Sequence, residues 1–188
     1  WGYVHEDGSL DYWDDPWWGG SIFLLADKLY LYTGDAGVLE SAFPSLKAYV
    51  DFLSSTAEDH IISWSLGDWL DLNPDPNSQA SNLTPVAQTS TAGYYWMSRK
   101  LADYAQILGY DKRLLEHYRE LADSIKDKFN REFLDYETGI YAENSQTAQA
   151  LPLALGLVPD EMEEKVRQRL LDALDMRLSL IHISEPTR

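Results

Sequence analysis

One structural plan occurs three times along this chain of 188 residues. Each occurrence begins with a loop rich in aromatic or carboxylate side chains, continues as a strongly apolar helix, and turns tightly into an amphipathic helix. Such helices bury their apolar faces most readily against one another, so the pattern predicts packed helical hairpins. The three loops are residues 14–20, 66–71 and 141–148.

Turn and capping residues predict the helix boundaries. In the first hairpin an apolar run after Pro16 ends at Gly34, and Asp35 begins a helix whose apolar residues recur every three or four positions. The run is so apolar that we expect it to be buried on most sides. In the second hairpin we expect Thr84 to cap a helix that has Pro85 at its first position.

The third hairpin begins at Ser145, which we expect to be another helix cap. The intervals between the hairpin turns are unequal, about 75 and then about 50 residues, which is unlike repeats of fixed length. Strand signals are scarce. The fold class is therefore predicted as all-α, part of an α/α toroid whose first helices form an inner ring. In such a ring the three loops would meet at one rim.

Charge and composition exclude several classes of partner. The formal net charge of −16 disfavours nucleic acid and anionic membrane surfaces. No run of eighteen apolar residues occurs, so we predict no membrane partner. Cysteine is absent, which excludes thiolate chemistry in this stretch, and the histidines are scattered without metal-ligand spacing. We predict neither a metal nor a cofactor.

The last residues, 178–188, break the charge and helix pattern that precedes them. They resemble the translation of a sequencing-library adapter, and we predict that they are a non-native tail. The chain also begins at Trp1 and not at Met. We therefore expect residues 1–177 to be an internal fragment of one domain. The alternative for the tail is a genuine apolar C-terminal strand.

The loops combine indoles with carboxylates. An indole face stacks on the C–H face of a pyranose while a neighbouring carboxylate accepts hydrogen bonds from hydroxyls, so this combination is typical of a sugar-binding cleft. Trp18 and Trp69 lie in loops beside glycine or aspartate, and we predict that they contact a ligand. For Trp64 and Trp96 we favour packing at the end of the helical barrel.

Glycosidic hydrolysis generally needs two carboxyl groups, one acting as acid and one as base or nucleophile. The carboxylates of the three loops are Asp14, Asp15, Asp68, Asp71 and Glu143. Spacing does not choose among them, and Asp68 could instead cap a turn through the backbone. Gln146 opens the third inner helix and could hydrogen-bond a sugar hydroxyl.

Four motifs together resemble the catalytic six-hairpin domain of bacterial α-L-rhamnosidases, glycoside hydrolase family 78. They are Asp15-Pro16-Trp17-Trp18-Gly19-Gly20, Gly67-Asp68-Trp69, Leu83-Thr84-Pro85 and the segment Asn144 through Pro159. The resemblance implies a partial (α/α)6 barrel and an inverting hydrolase that releases terminal α-L-rhamnose. It also implies that Trp18 and Trp69 flank the rhamnose ring. We predict a substrate site of Trp17, Trp18, Asp68, Trp69 and Gln146.

The resemblance implies that the general acid precedes Trp1 and that the base follows Arg177, so no catalytic residue is assigned within the chain and the chain alone should be inactive. The sequence departs from many relatives at Trp17-Trp18-Gly19-Gly20, where one tryptophan is usual. Two alternatives stay open. One is another inverting six-hairpin glycosidase, similar to a fucosidase or trehalase. The other is a non-catalytic toroid that binds sugar or another protein.

Overall fold

A computed structural model describes residues 2–4, 10–12, 15–68 and 81–181. Helices make up most of these residues, as predicted. Two small antiparallel hairpins, which the sequence did not reveal, accompany them because strands of two or three residues carry almost no periodic signal. The strands are β1 Gly2–Val4, β2 Leu10–Tyr12, β3 Leu134–Asp135 and β4 Ile140–Tyr141. The helices are α1 Pro16–Gly19, α2 Ser21–Thr33, α3 Ala36–Thr56, α4 Val86–Ile107, α5 Lys112–Phe133, α6 Gln146–Leu155 and α7 Glu163–Ile181.

The long helices pair in sequence order, α2 with α3, α4 with α5, and α6 with α7. Helix α4 lies at the centre and also packs against α3 and α6. Its middle is buried on nearly all sides, as we expect of an inner helix. The connections between the paired helices are short, so successive helices run antiparallel and each hairpin returns to the end where it began.

Helices α3 and α5 confirm the predicted amphipathic pattern, whereas Leu174 on the predicted face of α7 is 37% exposed. Every apolar residue that the periodicity assigned to the inner face of α3 is buried, and so is most of the corresponding face of α5. In α3 these residues are Leu39, Phe43, Leu46, Val50 and Leu53.

Helix α2 corrects one expectation. Only Phe23 and Ala26 are buried along it, whereas Leu25 and Leu31 are more than 60% exposed. The expectation of burial on most sides is wrong for this chain because, within the described residues, only the side of α2 that faces α3 and α4 has neighbours. The apolar remainder of the helix faces outward.

Most predicted caps are confirmed. Gly34 ends α2 with φ of 69°, and the side chains of Asp35, Asp111 and Ser145 accept hydrogen bonds from the first turns of α3, α5 and α6. The prediction for Thr84 is wrong. Pro85 holds the cap position of α4 in an extended conformation, which frees the Thr84 side chain for longer-range contacts.

Helix α7 continues to Ile181, four residues beyond the expected native end at Arg177. The alternative of a C-terminal strand is therefore wrong for residues 178–181, while the adapter origin of 178–188 stays a prediction. Among the described helices, none is long and apolar enough to cross a membrane.

Candidate functional site

Asp15 ties the first loop to the second. It caps α1, where Oδ1 accepts the amide N–H groups of Trp17 and Trp18 at 2.8 and 3.0 Å. Its other oxygen, Oδ2, accepts the amide of Leu66, 51 residues further on, at 3.1 Å. Asp15 is only 5% exposed. Because three backbone donors hold this carboxylate, its position is structural, and residues 15–20 of the first loop meet residues 66–68 of the second there.

Trp17 packs into the fold beneath this junction. Its indole Nε1–H donates to the carbonyl of Thr89 at 2.9 Å, and its ring stacks on Trp96 with centroids 6.0 Å apart. Gly93 permits the close approach, since a Cβ there would lie 3.1 Å from Trp17 Cε2. The polar edge of this indole is thus used within the protein, and Trp96 has the packing role that we favoured for it.

Trp18 has the opposite environment. Its backbone amide is fixed by Asp15, yet its side chain is 60% exposed at the N-terminal end of the first hairpin. A large aromatic ring that is exposed while its backbone is held rigidly provides a preformed surface for a planar apolar face. Trp18 is the described tryptophan best placed for the predicted stacking.

The second and third loops are joined through hydroxyl groups. Thr84 Oγ1 donates to Asp68 Oδ2 at 3.2 Å and lies 2.6 Å from Ser145 Oγ. Thr84 and Ser145 are 2% and 5% exposed. Together with the contact of Asp15 and Leu66, these hydrogen bonds bring the described parts of all three loops together at one rim, as the sequence predicted.

A cleft of about 460 Å³ opens beside the hydrogen bonds of Thr84 and Ser145. Residues 81–85 form one wall and residues 143–145 the other. Glu143 is exposed in the second wall, next to Asn144, whose φ of 57° lies in the left-handed region. Strained backbone of this kind persists where surrounding contacts hold it. Here the Asn144 side-chain oxygen accepts a hydrogen bond from the side-chain Nε2 of Gln149 at 2.9 Å.

Two buried glutamines join the inner helices below the rim. Gln88 Nε2 donates to the carbonyl of Ala148 at 2.8 Å, which links α4 to α6. Gln149 is likewise fully buried and holds Asn144. Below them burial raises the pKa of Tyr141, so its hydroxyl stays protonated and donates to Asn130. The Nε2 groups of both glutamines are hydrogen-bonded, whereas their buried Oε1 atoms accept no hydrogen bond within the described residues.

The predicted substrate residues are only partly brought together. Trp18, Asp68 and Gln146, the first residue of α6, belong to loops that meet at the rim, and Trp17 supports them from below. Trp69, Asp14 and Asp71 lie outside the described residues. Sequence reasoning missed the roles of Thr84 and Gln149. The only sequence signal for either residue was a polar side chain beside or within a predicted buried helix. Local sequence patterns do not show which partner such a side chain will bond.

The described carboxylates at the rim are not grouped as metal ligands are. Within the described residues, no group of three or more histidine, aspartate or glutamate side chains is arranged to hold a metal ion. What the rim offers is a stacking ring, a fixed carboxylate, hydroxyl and amide groups, and an open cleft. These are the components with which proteins bind neutral polar molecules such as sugars.

Known proteins resemble this chain over most of its length. The sequence model of the bacterial alpha-L-rhamnosidase 6 hairpin glycosidase domain matches residues 8–183. An alpha-L-rhamnosidase of Alteromonas sp. (strain LOR) is 28% identical over 166 residues, which are 86% of this chain and 18% of that protein. The solved alpha-L-rhamnosidase of Dictyoglumus thermophilum is 36% identical with a TM-score of 0.76, over 87% of this chain and 18% of that one.

A more distant structure extends the likeness of fold. The alfa-L-rhamnosidase of Aspergillus terreus is 23% identical with a TM-score of 0.76, over 92% of this chain and 20% of that one. This chain therefore spans about a fifth of the length of these proteins. The shared architecture confirms the predicted fold class, a partial (α/α)6 barrel.

Proposed function

We propose, from the premise that this chain belongs to the bacterial alpha-L-rhamnosidase six-hairpin glycosidase domain family, that it forms part of the sugar-binding wall of an inverting glycoside hydrolase. The reaction is release of terminal α-L-rhamnose from a glycoside or polysaccharide. The partner is a carbohydrate, and the catalytic acid and base are supplied from outside these residues.

The observation that carries the proposal is the junction of three loops at one rim, with an exposed indole above a buried carboxylate. Trp18 is 60% exposed while its backbone amide donates to Asp15. In this assignment the indole stacks on one face of the rhamnose ring. Rhamnose is a deoxy sugar, and its methyl group gives one edge an apolar character that suits an aromatic surface.

Asp68 and Gln146 supply the polar contacts in this proposal. A carboxylate oxygen accepts a hydrogen bond from a sugar hydroxyl, and a side-chain amide can both donate and accept. Hydrogen bonds of this kind fix the orientation of a ring that stacking alone would leave free to rotate. Trp69 lies outside the described residues and is proposed, by the family resemblance, as the second stacking residue.

Replacement of Trp18 tests the proposal in the full-length protein that carries this sequence. Trp18→Ala removes a stacking surface worth about 1.5 kcal/mol, so the Kd for L-rhamnose should rise roughly tenfold. Trp18→Phe should recover most of the affinity. Tyr32→Ala is a matched control, since Tyr32 is 82% exposed near the C-terminal end of the next helix, α2.

Product analysis tests the reaction itself. The full-length protein should release L-rhamnose from an aryl α-L-rhamnoside, and proton NMR should detect the β anomer first, as inversion requires. Faster cleavage of an aryl fucoside would favour a different six-hairpin glycosidase. Unchanged L-rhamnose affinity in Trp18→Ala would refute the role of this residue.

A further inference from the structure

The hydroxyl groups of Thr84 and Ser145 stand between Asp68 and the first turn of α6. Both are nearly inaccessible to solvent, and both line the wall of the cleft. Thr84 is not needed as a helix cap, because Pro85 holds the cap position of α4, whereas Ser145 caps α6. A buried hydroxyl that spans two loops must therefore be explained by the groups that it joins.

The groups at the two ends of this series of hydrogen bonds, from Ala148 through Ser145 and Thr84 to Asp68, fix the direction of every bond in it. The amide N–H of Ala148 can only donate, and it donates to Ser145 Oγ at 3.0 Å. At the other end the Asp68 Oδ2 atom accepts the hydroxyl of Thr84. Thr84 has a single hydroxyl hydrogen. Across the 2.6 Å contact of the two hydroxyls the donor is consequently Ser145.

Three donors in series thus point from the first turn of α6 to one oxygen of Asp68. Aligned hydrogen bonds polarise one another, and the N-terminal end of a helix carries partial positive charge. Both effects strengthen the bond that holds Asp68 Oδ2. Within the described residues Oδ2 is the only oxygen of Asp68 that accepts a hydrogen bond.

We propose that Thr84 and Ser145 are positioning residues, which fix the Asp68 carboxylate through this one-way chain so that Oδ1 accepts a hydroxyl of the bound sugar. The inference rests on the proposed function, because it takes Asp68 as a sugar-binding carboxylate. It adds that affinity for the sugar is set by α6, through two hydroxyls that do not touch the ligand themselves.

Thr84→Val tests this series of hydrogen bonds, because it removes the hydroxyl while keeping the size of the side chain. In the full-length protein, with 4-nitrophenyl α-L-rhamnopyranoside as substrate, KM should rise about tenfold while kcat changes less than about twofold, as expected when uniform binding is lost. The inhibition constant of L-rhamnose should rise in parallel. Thr84→Ser restores the hydroxyl and should return KM to within about twofold of wild type.

Two further variants separate positioning from packing. Ser98→Ala removes a buried hydroxyl within α4, one that bonds only to Tyr94 in its own helix, and it should leave KM unchanged. In an Asp68→Asn background, Thr84→Val should add less than about twofold, since coupled residues are not additive.

The outcomes separate this inference from the proposed function. If the wild-type protein neither cleaves the rhamnoside nor binds L-rhamnose, the proposed function is refuted, and this role of Asp68 falls with it. If the wild type is active but Thr84→Val leaves KM unchanged, only the hydroxyl chain is refuted. Failure of Thr84→Ser to restore KM, or a full additional effect in the Asp68→Asn background, also overturns it.

Discussion

Asp15→Asn separates the two tasks of the most buried carboxylate at the rim. Asparagine caps helices as well as aspartate does, so an Oδ1 in the native position still accepts the amides of Trp17 and Trp18. The new Nδ2 then replaces the oxygen that faces the Leu66 amide at 3.1 Å. Two donors would meet there. Turning the side-chain amide around would sacrifice two hydrogen bonds to save one.

The magnitude follows from burial and charge. A hydrogen bond to an ionised group contributes about 1.5–3 kcal/mol, and a buried donor left unpaired costs about 1–3 kcal/mol. Asp15 is 5% exposed, so water does not readily replace it. We expect the contact of the two loops to weaken by about 2–3 kcal/mol. At 1.36 kcal/mol per factor of ten, the Leu66 amide should exchange its hydrogen roughly 30 to 160 times faster.

Hydrogen exchange of the full-length protein, read at the Leu66 amide by mass spectrometry or NMR, measures this directly. Asp35→Asn is the matched control. Asp35 is also a helix-capping aspartate, but it is exposed and accepts from the nearby Gly37 amide. It should change exchange at Leu66 by less than about twofold. Unchanged protection of Leu66 in Asp15→Asn would show that Asp15 does not hold the loops together.

Two other predictions concern stability. Gly67 and Gly34 share a φ of +69°, but a Cβ at Gly67 would meet Ser81 Cβ at 2.7 Å whereas nothing lies within 4 Å at Gly34. Gly67→Ala should therefore lower the melting temperature more than Gly34→Ala, and equal shifts would contradict the steric argument. Burial alone would raise the pKa of Asp51, yet hydrogen bonds from a neighbouring lysine and from Tyr118 outweigh it and hold the pKa below 3.8. Because the pKa of Asp51 is lower in the folded state, its ionised form stabilises the fold above pH 3.8, and this contribution is lost as the pH falls through the folded-state pKa. Tyr118→Phe should therefore raise the pKa of Asp51 in an NMR titration and move acid unfolding to higher pH.

Local chemistry explains which expectations the structure confirmed. Gly34 ends α2 and Asp111 begins α5 because a left-handed glycine or a capping side chain acts within four residues of its own position. The apolar face of α3 followed from periodicity for the same reason. These features depend on spacing along the chain, which the sequence displays directly.

The sequence predicted which residues form the candidate site but not which of them hydrogen-bond to one another. The sequence indicated that Trp18, Asp68 and Ser145 belong to loops on one side of the hairpins. It could not distinguish Trp18 from Trp17, although one is exposed and the other is bonded to the carbonyl of Thr89. Adjacent residues on one short helix differ in environment because α4 lies against only one of them.

Amino-acid order alone thus determined the three hairpins, their turns and the family to which their motifs belong. Tertiary structure decided which polar side chains meet across long intervals of chain, such as Asp15 with Leu66 and Thr84 with Ser145. It also decided that α2 keeps an apolar face outward. Caps and periodic faces are set by neighbours a few residues away, whereas burial and long-range hydrogen bonds depend on which helices pack together, and that is a property of the assembled ring.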